Sequence, residues 1–292
     1  MKVYPECGPC MVRQASEAID LATNDSDLKI DTINEVFKYL SKNFKVGAPS
    51  NKIGSNMHRI IKMKTKCHDP YIKKKEIGNQ IAIDLFPKVE KILKEDDSLE
   101  NYVKIAIIGN ILDFAALGLD IDFEKMINDS FNQDLAINHI EDFKNSMKKV
   151  DSLLYLVDNT GEIVFDKLLI EKLRSYDINI TVAVKEKPIL NDACMEDAIA
   201  IGLDKIVNLI TTGTDSVGIV YGDLSDEFRE IFNSHSFIIS KGLGNYEGLT
   251  EVNLDEKDVF YLFSAKCSAI AKDSNVNLGD NILLSQKMIH KD

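Results

Sequence analysis

No apolar run in the 292 residues approaches the roughly 20 needed to span a bilayer. The opening Met-Lys-Val-Tyr-Pro-Glu-Cys also lacks the apolar core of a secretory leader, so the expected compartment is the cytoplasm. Positive charge is in deficit: 47 Asp and Glu face 35 Lys and Arg, a net charge of −12. Such a field repels phosphate polymers, which excludes a nonspecific nucleic-acid or anionic-membrane binder. A small phosphorylated substrate stays open if lysines or a cation offset the field locally. Arginine is scarce, with only Arg13, Arg59, Arg174 and Arg229, a bias that reflects genome composition more than chemistry. Five cysteines in a reducing compartment do not make a disulfide framework. Internal repeats, low-complexity tracts and long linkers are absent as well. What is present is ordinary soluble-globular composition, 45% hydrophobic and 28% charged, in a chain long enough for one large domain or two smaller ones.

Residues 1–148 read as helical. Apolar positions recur at helical spacing over 28–44, 72–93 and 123–147. Val103 to Leu117 is apolar on nearly every side, which predicts a central helix. Asn110 and Asp113 are its exceptions, three apart on one face, and serve either structural hydrogen bonding or a wall of the site. From about residue 149 the character changes. Strand-like runs at 152–157, 178–184, 206–210, 236–240 and 258–264 alternate with amphipathic segments at 162–174, 193–201 and 224–233. Repeated β-α-β predicts an α/β fold: a Rossmann-like, mostly parallel sheet with flanking helices at 149–292, preceded by an all-helical domain at 1–148.

Chemistry concentrates where the predicted strands end. The run Leu153 to Val157 stops at Asp158-Asn159, Gly161 lets the chain turn, and Glu162 opens a helix. In open α/β sheets such turns lie on the carboxyl edge, where ligands bind. Three more strand ends carry polar groups: Lys187-Pro188 with Asn191-Asp192, then Lys241-Gly242-Leu243-Gly244-Asn245-Tyr246-Glu247, then Ala265-Lys266-Cys267. A parallel sheet would gather Asp158, Asn159, Asp192, Lys241 and Lys266 on one surface. Two carboxylates and an amide oxygen suit a hard divalent cation, and lysines with glycine-loop amides suit a phosphoryl group. Together they describe metal-assisted phosphoryl transfer. Each has a plainer alternative as a helix cap, a surface lysine or a turn.

These motifs, in this order, resemble the metal-dependent damage-control phosphatases. In the first half Asp69-Pro70-Tyr71 with Lys75, Gly109-Asn110 with Asp113, and Cys7-Gly8-Pro9-Cys10 are similar to the archaeal and bacterial subfamily that carries a Cys-x-x-Cys. The resemblance covers nearly the whole chain. It implies hydrolysis of phosphate monoesters of side-product or damaged metabolites, sugar phosphates among them, with Mn²⁺, Ni²⁺, Co²⁺ or Mg²⁺. Asp158, Asn159 and Asp192 would hold the metal. Gly242, Leu243, Gly244, Asn245, Tyr246 and Lys266 would contact the substrate, with Asn110 and Asp113 beside them and Lys241 acting in the same motif. Position alone makes Glu162 a candidate for orienting water or a ligand. Either water or Asp158 itself is the nucleophile.

Cys7 and Cys10 follow no strand, which argues against a thioredoxin-like site; as a single pair they are an incomplete zinc site, and a structural role near the N-terminus is expected. Two other classes of function compete. One is a Rossmann-like binder of a phosphorylated metabolite or nucleotide without turnover. The other is methyl transfer, against which stands the single glycine of Asp-Asn-Thr-Gly-Glu. The expected partner is a small phosphorylated metabolite, and the sequence carries no signal of oligomeric state.

Overall fold

The computed structural model describes residues 1–109 and 123–289. The chain opens with helices α1 (Cys7–Ala22), α2 (Ser26–Asn43), α3 (Ser50–Thr65), α4 (Ile72–Glu95), α5 (Leu99–Ile108) and α6 (Phe123–Asn132). Local chemistry sets their ends: the Asp25 carboxylate accepts the N–H groups of Asp27 and Leu28 at the start of α2, and Ser98 accepts from Asn101 at the start of α5. There follow β1 (Ile137–Asn138), α7 (Ile140–Met147), β2 (Ser152–Leu156), α8 (Glu162–Arg174), β3 (Asn179–Val184), α9 (Met195–Ala200) and β4 (Asn208–Thr211). The last elements are α10 (Asp226–Ser234), β5 (Phe237–Lys241), α11 (Gly242–Leu249), β6 (Asp258–Ser264), α12 (Ser268–Asp273) and β7 (Asn281–Ser285).

The strands form one sheet in the order β1-β7-β6-β5-β2-β3-β4. Every pairing is parallel except β6 with β7. From β2 the chain moves outward through β3 and β4, then returns to the other side of β2 for β5 and β6. The order therefore reverses between β2 and β5, and their carboxyl ends flank the crevice where open α/β sheets bind ligands.

Two apolar layers cover the sheet. On one face α5, α7 and α8 pack on Leu153, Tyr155, Ile239 and Phe260, with Phe143, Phe237 and Phe260 meeting edge to face at 5.1–5.6 Å. On the other, α10, α11 and α12 cover Leu154, Leu156, Ile238 and Tyr261. Helix α8 is buried along most of its length because it is packed on two sides, by the sheet through Ile163 and Leu169 and by α4 and α5 through Val164, Phe165 and Leu168. Helices α1, α2 and α3 keep a core of their own around Met57 and Ile61. No described helix is long and apolar enough to cross a membrane.

The α/β architecture is the expected one, with two corrections. Residues 1–148 are not wholly helical, since β1 pairs with β7. Nor does packing divide at 148, because α5 shares the core of the sheet. The antiparallel β7 was also unforeseen. Asn110, Asp113 and the rest of the apolar stretch after Gly109 lie outside the described residues.

Candidate active site

Asp158 and Asn159 sit one and two residues beyond Val157 at the carboxyl end of β2. The connection from β3 to α9 returns to the same place. Asn159 and Asp192 form an isolated antiparallel bridge, framed by Ala193 N–H donating to the Asp158 carbonyl at 2.8 Å and Thr160 N–H donating to that of Asn191 at 2.9 Å. Residues directly opposite in such a bridge project to the same side. Backbone bonding thus sets Asp192 against the Asp158-Asn159 pair across a gap of more than thirty residues.

Glycines make the approach close enough. Gly161 takes φ +73°, and a Cβ there would lie 2.9 Å from the Gly78 carbonyl of α4. Its N–H donates to Asn79 Oδ1 at 2.6 Å, so α4 braces the turn. At Gly242 (φ +76°) a Cβ would fall 1.9 Å from Asp158 Oδ2: the carboxylate occupies the space a side chain would need.

Below this surface lies a dry ionic cluster. The fully buried Lys241 ammonium donates to the Ala106 carbonyl and to Asp166 Oδ1, both at 2.7 Å, and to Glu162 Oε1. Tyr155 Oη donates to the same Asp166 oxygen at 2.7 Å. The other Glu162 oxygen accepts from Asn159 Nδ2 at 3.4 Å, and that amide also donates to Asp158 Oδ2 at 3.0 Å. On the β3 side, buried Lys185 donates to the Gly218 carbonyl at 2.8 Å and stands 3.5 Å from Asp192 Oδ2. At that separation the pair attracts without a well-formed hydrogen bond, and Asp192 Oδ2 has no hydrogen-bond partner among the described residues.

Charge here is unbalanced. Asp158, Glu162, Asp166 and Asp192 are buried, with the buried ammoniums of Lys185 and Lys241 against them and that of Lys75 near enough to act on Asp192. Burial pushes Asp192 up to about 6 although Lys185 opposes it, and burial pushes Asp166 up to about 6 although Lys241 opposes it. Excess negative charge, a buried carboxylate oxygen lacking a donor and an all-oxygen ligand set fit a divalent cation. Among the described residues no three His, Cys, Asp or Glu side chains are placed to hold a metal. A cation at this edge would thus take Asp158 and Asp192 with the Asn159 amide oxygen.

Several expected roles change. Lys241, read as a catalytic lysine at the phosphoryl group, faces inward with its ammonium taken by three acceptors. Tyr246 is buried against Tyr261 and Phe263 and donates from Oη to Asp273 at 2.8 Å, away from the edge. Asn245 donates to the carbonyls of Val157 and Lys241 at 3.0 and 2.8 Å, stitching the ends of β2 and β5 together, and Leu243 packs into the second core. What remains of this loop for a ligand is the backbone around Gly242 and Gly244. Lys266 follows β6 on the same edge, half-buried.

Cys7 and Cys10 lie elsewhere, lining a cavity of about 170 Å³ with Cys267, Met1, Met11 and Glu247. All three are free, and burial raises the thiols of Cys7 and Cys267. Cys7 packs against both the α1–α3 core and the second sheet layer.

Other residues were missed. Asp166 sits one turn after Glu162, and that i, i+4 carboxylate pair flanking the apolar Ile163-Val164-Phe165 was the available signal. Lys185 ends a predicted strand just as Lys241 does. Arg59 of α3 donates to Asp215 (2.7 Å), Asp223 (3.0 Å) and Ser216 (2.8 Å), while Lys62 donates to Asp215 (2.6 Å) and the Pro188 carbonyl (2.7 Å). This clasp fastens the helical layer to the loops beyond β3 and β4, and nothing local in the sequence marks it.

A family model described as the damage-control phosphatase ARMT1-like domain matches residues 3–282. A damage-control phosphatase of Pyrococcus horikoshii is 34% identical over 98% of this chain and 99% of its own length. A damage-control phosphatase of Archaeoglobus fulgidus is 32% identical over 97% of this chain and 98% of its own. The crystal structure of a DUF89 family protein from Pyrococcus horikoshii superimposes with a TM-score of 0.88 at 34% identity, covering 98% of this chain and 99% of that one.

Proposed function

The chain belongs to the damage-control phosphatases with an ARMT1-like domain, and from that premise we propose that it hydrolyses phosphate monoesters of small side-product or damaged metabolites, sugar phosphates among them, with a divalent cation held by Asp158, Asn159 and Asp192. Membership favours phosphate-ester hydrolysis over methyl transfer and over binding without turnover. The observation that carries the cation reading is the bridge setting Asp192 against Asn159 where the strand order reverses, beside buried groups with excess negative charge.

A cation bound there supplies Lewis-acid polarisation of a phosphoryl oxygen and makes water a better nucleophile at neutral pH. The chain's own groups do the rest. Asp158 is fixed between the Asn159 amide and the Gly242 Cα, so its carboxylate is oriented before substrate arrives. The backbone of the Gly242 turn, at the start of α11, offers N–H groups to an anion, and Lys266 brings positive charge to the same edge. Water is the nucleophile in this reading, since Asp158 would be committed to the cation. Hard oxygen ligands admit Mn²⁺, Co²⁺, Ni²⁺ or Mg²⁺.

The test is phosphate release from an aryl phosphate with each of the four cations. Activity should require a cation, vanish with chelator, and fall at least about 100-fold in Asp158→Ala. Full turnover in chelator, or in that variant, overturns the proposal.

A further inference from the structure

An amide that serves as a metal ligand must present oxygen, never nitrogen, and nothing in the Asp158-Asn159 sequence says which end faces which way. The structure does. Asn159 Nδ2 lies 3.0 Å from Asp158 Oδ2 and 3.4 Å from Glu162 Oε2. Turned over, its oxygen would face two carboxylates with no proton between them. Only the orientation with nitrogen toward the carboxylates is electrostatically tolerable, and it leaves Oδ1 as the accepting end.

That argument needs the Glu162 acceptor to stay aimed at Asn159. Glu162 is buried, and Lys241 fixes the direction of its carboxylate by donating to the other oxygen. Lys241 is itself held by Asp166 and the Ala106 carbonyl, and Tyr155 holds Asp166 from beneath. Each member is fixed by the one behind it, from a tyrosine inside the sheet to an amide at its edge.

We propose that Glu162 is a positioning residue, locked by Lys241, Asp166 and Tyr155, whose task is to set the Asn159 side-chain amide with its oxygen toward the ligand. This rests on the cation reading above, and it assigns Lys241 a role behind the site instead of at the substrate. It also specifies what Glu162→Gln must do. Lys241 can face only an oxygen, so the carbonyl end of the substituted side chain is drawn to it and the new NH₂ is left pointing at Asn159. Two donors then oppose each other, and the Asn159 amide turns over.

Two measurements test this, one free of metal. In ¹⁵N-resolved spectra of the metal-free protein, the Asn159 side-chain NH₂ should be shielded from solvent exchange in the native chain. It should lose at least about 10-fold in protection in Glu162→Gln, in line with losing a specific hydrogen-bond partner. In calorimetric titration with Mn²⁺, the same variant should bind about 10–100-fold more weakly, the range for a group that orients a metal ligand. Tyr155→Phe, which leaves Glu162 and Lys241 paired, should weaken Mn²⁺ less than Glu162→Gln does. A Glu162→Gln protein that melts earlier but keeps its protected amide and its Mn²⁺ affinity overturns the proposal, because a merely structural glutamate behaves that way. Failure of the native chain to bind Mn²⁺ removes the cation reading instead; the amide spectra still decide whether Glu162 positions Asn159.

Discussion

Two ionic networks hold this molecule together, and they differ in how much water they see. Around Lys241, one ammonium and two carboxylates are sealed between the sheet and α8 with essentially no exposure. Around Arg59, a guanidinium, an ammonium and two carboxylates close the seam between α3 and the loops near residues 212–223, each side chain 16–31% exposed. The pairings look alike, but the energetics do not. A buried charge that loses its partner is left without solvation, whereas a seam charge turns to water. The dry network fixes geometry; the wet one fastens layers.

Replacing Lys241 with Met should therefore have the largest effect on folding. It leaves Glu162 and Asp166 buried without their counter-ion, and urea unfolding should show a loss of about 3–5 kcal/mol. If the loss is below about 1 kcal/mol, the size expected of an exposed pair, the contrast between the networks fails. Gly242→Ala should come next. Its Cβ overlaps the Asp158 carboxylate and the positive φ disfavours any side chain, so turnover of an aryl phosphate should fall about 100-fold or more, with a stability cost of about 1–2 kcal/mol. Arg59→Ala should cost about 1 kcal/mol by the same unfolding measurement, since its exposed partners find water.

The smallest effect sharpens the comparison through pH. Asp166 and Asp192 have folded pKa values raised to about 6 by burial, against an ordinary carboxylate value near 4. The folded state then holds protons that the unfolded chain has released. Their contribution to stability is full below about pH 4, falls as pH rises toward 6, and is flat above. Metal-free protein should lose urea resistance across that window beyond what Asp192→Asn loses. Asp215 is the seam counterpart: despite partial burial, Lys62 and Arg59 hold its carboxyl below the ordinary value. It contributes with the opposite sign, its stabilisation being lost as pH falls through the lowered pKa.

How far the sequence could be read follows from the same physics. The stretch from Leu153 to Glu162 was legible as strand, turn and helix because burial on both faces leaves a continuous apolar run and a glycine marks the turn. That strand ends would share an edge followed from parallel connectivity. Side-chain direction did not. Lys241 closes its strand with the same polarity a surface lysine would have, and only the helices packed over it show that it points into the interior. Tyr246 sits in a glycine-bearing loop that reads as exposed, yet one turn of α11 carries it into the core. β1 and β7 escaped notice for a plainer reason: two residues carry no period, and Asn281–Ser285 is too short an apolar run to tell strand from helix.

The order of pairing carries a consequence for how the protein is made. Residue 137 finds its partner only at residue 282, and β7 enters between β1 and β6, two strands already synthesised. A chain emerging from the ribosome can dock β2, β3 and β5 beside one another while β1 still waits on a bare flank. The half of the sheet that bears the candidate site can thus assemble first, and the last strand to appear works as a keystone. Nascent chains halted before residue 281 should be the ones that chaperones hold longest.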